Sequence, residues 1–142
     1  MDTEGRFSPE TADAARERYG ALGSTAQVVV KEVAKAMEFD AEEYDRRVTG
    51  EVIETARDAL FASSLEVTVG TREEYEAWVD DHPEYETHLV GSENVDRVVW
   101  HAAPFAETVV AATFQDERRA AVGTLRRQAF GRVYRAVVTD QS

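Results

Sequence analysis

The C-terminal part of the chain concentrates residues that recognise anions. Residues 118–138 contain six arginines and no acidic residue, whereas the whole chain has a formal net charge of −12. Because this segment contributes six positive charges, the remaining residues carry −18. A guanidinium group binds carboxylates and phosphates through paired hydrogen bonds. The segment therefore fits an anion-binding surface, a docking surface for a partner, or neutralisation of the chain's own acidic residues.

Arg126 differs from the other arginines because it falls on the apolar side of the predicted helix 116–138. Its neighbours one turn away along the helix include Val122 and Ala129. A guanidinium on a buried face must be paired, since an isolated buried charge costs several kcal/mol. We therefore predict a carboxylate from the acidic helices, a partner chain or a bound anion against Arg126, with Arg119 as a second candidate binding residue.

The string WHAAPF, residues 100–105, is a second candidate binding region. Trp100, His101 and Phe105 flank a proline-containing connection between two predicted strands. These side chains either form the wall of a small pocket or belong to the core, with the imidazole hydrogen-bonded to the backbone. All three are candidate binding residues on the first interpretation.

The three histidines of the chain are the natural place to look for a metal or for acid–base chemistry. A hairpin turn across residues 91–94 would bring His101 close to His82, Asp80 and Asp81, and such a cluster suits a divalent metal. The spacing matches no known metal-binding motif, and the sequence contains no nucleophile motif, phosphate-binding glycine loop or zinc-protease motif. We therefore predict no metal and no cofactor, and we assign no catalytic residue.

The first half of the chain is predicted to be helical. Ser8 is the expected N-cap of a helix that begins at Pro9 and ends at Gly20. A second helix, residues 25–37, carries valines and a methionine at intervals of four residues on one apolar face.

Two more helices are predicted to follow, and their starts are marked by capping residues. Asp40 precedes a short acidic helix, and Thr49 precedes a longer helix with an apolar face. Farther along, Thr71 and Glu74 have the spacing of a capping box, which predicts a third helix start.

The second half of the chain changes from a helical period to alternation of apolar and polar residues. Segments of this kind predict half-buried strands, and the last three are expected to form a consecutive antiparallel meander. The predicted strands are residues 65–69, 85–90, 95–101 and 107–114.

These elements predict an α+β fold within one domain, residues 1–142. A helical N-terminal half is followed by a small, mostly antiparallel sheet of about four strands covered by helices, with a long C-terminal helix. Val99 and Val109 make two strands apolar on both faces, so these strands are expected at the centre of the sheet. The expected sheet core comprises Leu65, Val67, Val69, Val98, Trp100, Val110, Ala112 and Phe114.

The composition indicates an acidic protein of a salt-rich cytoplasm. Only two of the 16 basic residues are lysines, against 28 acidic residues, and a high net negative charge keeps a protein soluble in concentrated salt. The chain has no cysteine, no apolar run long enough for a membrane helix and no signal-like N-terminus. We expect a cytoplasmic location and no membrane partner.

Two long segments resemble a known family. They are AMEFDAEEYDRRVTGEVIETARDALFAS and SENVDRVVWHAAPFAETVVAATFQDERRAAVGTLRRQAFGRVYR. Both are similar to small acidic haloarchaeal proteins catalogued as a domain of unknown function. The resemblance implies a halophilic protein, and it carries over no activity and no site residue.

Two functions follow as hypotheses. The first is a non-catalytic interaction protein that self-associates or binds another protein through the arginine helix or a sheet edge. The alternative is a domain that binds a small anion or metabolite with Arg126 and the His101 turn. This alternative includes an enzyme. Nucleic acid is an unfavoured partner, because four phosphate contacts would lose roughly five orders of magnitude of affinity between about 0.1 M and 3 M salt.

Overall fold

The computed structural model describes residues 1–139. An α+β fold is observed, with a helical N-terminal half, a five-stranded sheet and a C-terminal helical segment. A single turn of 3₁₀ helix, Pro104–Ala106, joins the last two strands. The strands are β1 (Asp2–Glu4), β2 (Val67–Thr71), β3 (Glu86–Val90), β4 (Arg97–Ala103) and β5 (Thr108–Phe114). The helices are α1 (Ala12–Ala36), α2 (Ala41–Arg47), α3 (Gly50–Ser64), α4 (Arg72–Asp81), α5 (Arg118–Ala129) and α6 (Arg135–Thr139).

One long helix, α1, replaces the two N-terminal helices that were predicted. Its N-cap is Thr11, whose side chain accepts a hydrogen bond from the Ala14 backbone N–H, so the predicted start at Ser8 and Pro9 is wrong. Gly20 lies inside the helix instead of ending it. A glycine in a helix costs only about 1 kcal/mol relative to alanine. The buried stripe that runs through α1 offsets this cost; its members are Ala15, Tyr19, Ala26, Val30 and Ala34.

Three other predicted helix starts are confirmed. The side chains of Asp40 and Thr49 accept hydrogen bonds from backbone N–H groups at the starts of α2 and α3. Thr71 and Glu74 form both hydrogen bonds of the capping box of α4, at 3.1 and 2.8 Å. Local capping chemistry thus sets these three boundaries.

The sheet has the strand order β1-β2-β4-β5-β3, and every pair is antiparallel except β3 with β5. The predicted antiparallel meander is therefore wrong at β3, which does not pair with β4. The strand beside β4 is instead β2, whose Val67 and Val69 are buried. Burial of apolar side chains favours an inner position for such a strand. The strand β3, whose Leu89 and Val90 are 41% and 49% exposed, lies at the edge.

The central position of β4 and β5 is confirmed, since Val99 and Val109 are both fully buried. Helices α1, α3 and α5 cover one face of the sheet, and α4 covers the other. The predicted sheet core is buried apart from Ala112, which is partly buried.

The C-terminal helix contains an irregularity that the sequence did not predict. Residues Phe130–Tyr134 form a π-helical segment between α5 and α6. Such segments insert an extra residue into a helical turn and are frequent at functional sites. None of the described helices is long and apolar enough to cross a membrane.

Candidate interaction surface

The distal half of the α1–α3 pair is a helical arm, which we define as residues 26–59 and which includes α2. Val30 and Ala34 on α1 are buried in it. Neither belongs to the apolar core beneath the sheet, which α1 reaches through Ala15 and Tyr19. The arm therefore buries its apolar residues largely between its own helices.

One face of this arm carries an open apolar groove of about 440 Å³, which we call the arm groove. Val33, Met37 and Val52 on its walls are 52%, 59% and 42% exposed. Of the twelve residues that line it, none is acidic and only Arg47 is charged. The lining comprises Val29, Val30, Val33, Ala34, Met37, Phe39, Arg47, Val48, Val52, Thr55, Ala56 and Ala59.

The sequence predicts the apolar face of α1 but not that part of it stays uncovered. Val30 and Ala34 are buried, whereas Val33 and Met37 on the same helix are 52% and 59% exposed and line the groove together with residues of α3. The width of the apolar face of α1 is the sequence signal for the uncovered part, because a single neighbouring helix covers only a narrower stripe of residues. The arm groove is thus a site that the sequence analysis did not select.

The guanidinium of Arg126 lies half-buried between α5 and the start of the sheet. Its Nε donates a hydrogen bond of 2.9 Å to the carbonyl oxygen of Leu65. The chain turns at Gly5, at a positive φ of 80°, where a Cβ atom would collide with the Leu65 carbonyl and the Arg126 side chain. Within residues 1–139, Arg126 forms no ion pair with a carboxylate. The predicted carboxylate from the acidic helices is therefore wrong, and the observed partner of Arg126 is the backbone carbonyl of Leu65.

Arg118 is the member of the arginine segment that neutralises the chain's own acidic residues. Its guanidinium donates hydrogen bonds to Glu4 at 2.8 Å and to Asp2 at 2.9 Å. These contacts lower the pKa of the Asp2 carboxyl through hydrogen bonding and attraction by Arg118. They tie β1 to the first turn of α5, whereas Arg119 in the next position is exposed.

His101 is a buried, neutral imidazole, 1% exposed. Its Nδ1 lies 2.6 Å from the Glu66 carbonyl oxygen, and its Nε2 lies 2.6 Å from the Tyr134 hydroxyl. Since a carbonyl only accepts, Nδ1 carries the proton and Nε2 accepts from the hydroxyl. Burial lowers the pKa of His101 to about 4, an effect that Arg126 reinforces and the Glu66 carbonyl opposes. Both ring nitrogens are therefore occupied within the fold.

The remaining candidate residues are divided between the two faces of the sheet. Phe105 packs against Tyr134, with ring centroids 5.7 Å apart, on the face that also holds His101 and Arg126. Trp100 lies on the opposite face, against Tyr75 of α4, with a centroid distance of 5.3 Å. The structure thus brings Phe105, His101 and Arg126 to one side and separates Trp100 from them.

The hairpin that would gather two histidines and two carboxylates does not form. His82 stacks on the Trp78 ring at 4.1 Å between centroids, and its Nδ1 lies 2.7 Å from the Trp78 carbonyl oxygen. His101 pairs with Val110 in the sheet and lies on the face that α1, α3 and α5 cover. No group of three or more His, Asp or Glu side chains within residues 1–139 is placed to hold a metal ion.

Fold and site together define an α+β protein with a mostly antiparallel sheet and a helical arm that exposes an apolar groove. The chain belongs to the family described as Family of unknown function (DUF5809), whose model matches residues 6–135. A search of curated proteins and a search of solved structures each found no match.

Proposed function

We propose that this chain is a non-catalytic interaction protein of a salt-rich cytoplasm, and that it self-associates through the arm groove. The observation that carries the proposal is the exposure of Val33, Met37 and Val52 around an apolar groove without acidic residues. Contiguous exposed apolar patches often mark interaction sites on soluble proteins.

The exposed apolar side chains of the arm groove suit the core of a dimer interface. Val33 and Met37 are more than half exposed, and Val29 and Val52 are 38% and 42% exposed. An interface of standard size buries about 800 Å² on each partner, of which rather more than half is apolar. Two copies joined by the same patch would therefore bury the apolar core of such an interface. The two pairs of helices would then form a four-helix arrangement.

The distribution of charge also favours the arm groove as the interface and a second copy of the chain as the partner. A chain of net charge −12 repels a second copy over most of its surface. The arm groove lacks acidic lining residues, so contact there brings few like charges together. Molar salt reduces the Debye length to about 3 Å and removes most of the remaining repulsion. Self-association is therefore expected to strengthen as salt rises.

A matched pair of substitutions on α1 tests the proposal. Val33→Glu places a charge in the groove, whereas Val28→Glu places the same charge on the same helix outside it. Both valines are more than half exposed, at 52% and 59%, so both variants should fold. Light scattering after gel filtration in molar KCl should show a dimer for the wild type and Val28→Glu, and a monomer for Val33→Glu. The same mass for both variants would reject the arm groove as the interface.

A further inference from the structure

The edge strand β3 presents backbone groups that no described strand uses. The Glu86 N–H donates to the Glu107 carbonyl oxygen at 2.8 Å, which fixes the alternation along the parallel β3–β5 pair. The backbone groups of His88 and Val90 therefore also point towards β5, and those of Thr87 and Leu89 point outwards. An exposed edge of this kind is a template for another strand.

A cavity of about 390 Å³ lies beside this edge, on the face of the sheet that α1, α3 and α5 cover; we call it the edge cleft. Val90 and Val110 form its apolar floor. Gln128, Gly131 and Arg132 form its other wall, at the junction of α5 and the π-helical segment. Since Gly131 has no side chain, the helix leaves room there above the sheet. Domains that bind extended peptides by strand addition combine an exposed sheet edge with pockets for alternate side chains.

Gln128 lines the edge cleft, and one of its polar atoms has no partner among the described residues. Its Oε1 is buried, and no described residue donates to it. Because this oxygen is shielded from solvent, a peptide in the cleft does not reach it, and recognition depends on the strand edge and on Arg132.

Arg132 supplies the charge preference of the cleft. Its Nη1 lies 3.3 Å from the His88 Nδ1, and within residues 1–139 it has no carboxylate partner. A carboxylate from a ligand would form a charge-assisted hydrogen bond with it. His88 and Val90 are two residues apart on β3 and face the same side. On a strand added to this edge, the residue beside Val90 and the residue beside His88 and Arg132 are therefore also two positions apart.

The geometry points to an extended peptide segment as the ligand of the edge cleft. It would pair with Thr87 and Leu89 of β3, place an apolar side chain beside Val90, and place an acidic side chain two residues away beside His88 and Arg132. A second copy of β3 does not offer this pattern, because its residues on that face are glutamate, histidine and valine in order. This inference does not depend on the arm groove.

Labelled octapeptides of serine and threonine test the inference by fluorescence anisotropy against the full chain. The matched peptides carry one leucine and one glutamate separated by a single residue, in either order. The control peptide carries them in adjacent positions, so that they face opposite sides of a strand. At least one matched peptide should bind about tenfold more tightly than the control.

Protein variants locate the binding. Arg132→Ser should weaken the matched peptide about tenfold by removing the carboxylate partner. Arg127→Ser is the control on the same helix, because Arg127 contacts Thr124 and does not line the cleft. Val33→Glu should bind as the wild type does, which separates this test from that of the arm groove.

Three results would overturn the inference. The first is equal affinity for matched and control peptides, including no binding of either. The second is an equal effect of Arg132→Ser and Arg127→Ser. The third is a dimer that forms through β3 in the absence of peptide. It would be detected if the Val33→Glu variant had the mass of a dimer and the double variant Val33→Glu, Leu89→Lys had the mass of a monomer.

Discussion

At the scale of single residues, buried polar groups are satisfied by backbone and hydroxyl groups more than by ion pairs. His101 uses the Glu66 carbonyl and the Tyr134 hydroxyl, and Arg126 uses the Leu65 carbonyl. The helical period of the sequence is enough to place Arg126 on the apolar side of α5. Its partner was not predictable, because Leu65 is 61 residues away along the chain and offers only its backbone.

His101 makes folding sensitive to acid. The pKa of its imidazole is lowered from 6.5 to about 4 in the folded chain, mainly by burial. Between these two values the unfolded chain binds a proton that the folded chain does not, so stability is full above pH 6.5 and falls as pH decreases towards 4. The loss should reach about 3 kcal/mol by pH 4. Urea unfolding at constant molar salt, followed from pH 7 to 4, measures it.

Two variants isolate this effect from the titration of carboxylates. His101→Gln removes the titrating group and should flatten the profile between pH 6.5 and 4. Tyr134→Phe retains the imidazole but removes the hydroxyl that donates to Nε2, so it should raise the His101 pKa and reduce the slope. An unchanged slope in both variants would show that His101 does not carry the pH dependence.

Arg126 and Arg127 provide a second comparison at this scale. Arg126→Ser removes a charge-assisted hydrogen bond to the Leu65 carbonyl and should lower the free energy of unfolding by about 2 kcal/mol. A loss of about 3 kcal/mol or more would require a stranded carboxylate, which this environment does not contain. Arg127→Ser, at an exposed position, should change stability by less than about 0.5 kcal/mol. Equal losses in denaturant unfolding would contradict the assignment.

At the scale of elements, the sequence predicts helix starts better than helix ends and strand partners. Asp40, Thr49 and Thr71 cap their helices through contacts three residues away, which local sequence specifies. The continuity of α1 past Gly20 depends on packing along its whole length. The pairing of β3 with β5 depends on β2, a strand from earlier in the chain, which takes the place beside β4. A hairpin turn signal at residues 91–94 does not report that competition.

The helical conformation of Gly20 leads to a prediction for α1. Gly20 lies in the helix interior, and within residues 1–139 no atom outside its chain neighbours and the adjacent helix backbone lies within 4 Å of the place that a Cβ would occupy. Gly20→Ala should therefore raise the free energy of unfolding by about 0.5–1 kcal/mol, because alanine loses less conformational entropy in a helix. Thermal unfolding at fixed protein concentration and salt measures this gain. A clear loss of stability would mean that the helix ends at Gly20, as the glycine alone suggests.

At the scale of the whole molecule, charge and apolar surface are separated. The chain carries −12 overall, yet the lining of the arm groove contains no acidic residue. The composition predicts the overall charge, but the groove becomes visible only when α3 packs against one side of α1 and leaves the other side open. The same holds for the edge cleft, which needs β3 at the sheet edge and a π-helical segment above it.

Sedimentation equilibrium of the wild-type chain in molar KCl, over a wide range of protein concentration, tests the central claim of self-association most directly. A particle of twice the chain mass of 15.8 kDa is expected. The dimer should dissociate as salt is lowered, because the repulsion between two acidic chains is then less screened. A mass of 15.8 kDa at every concentration and every salt level would contradict the account.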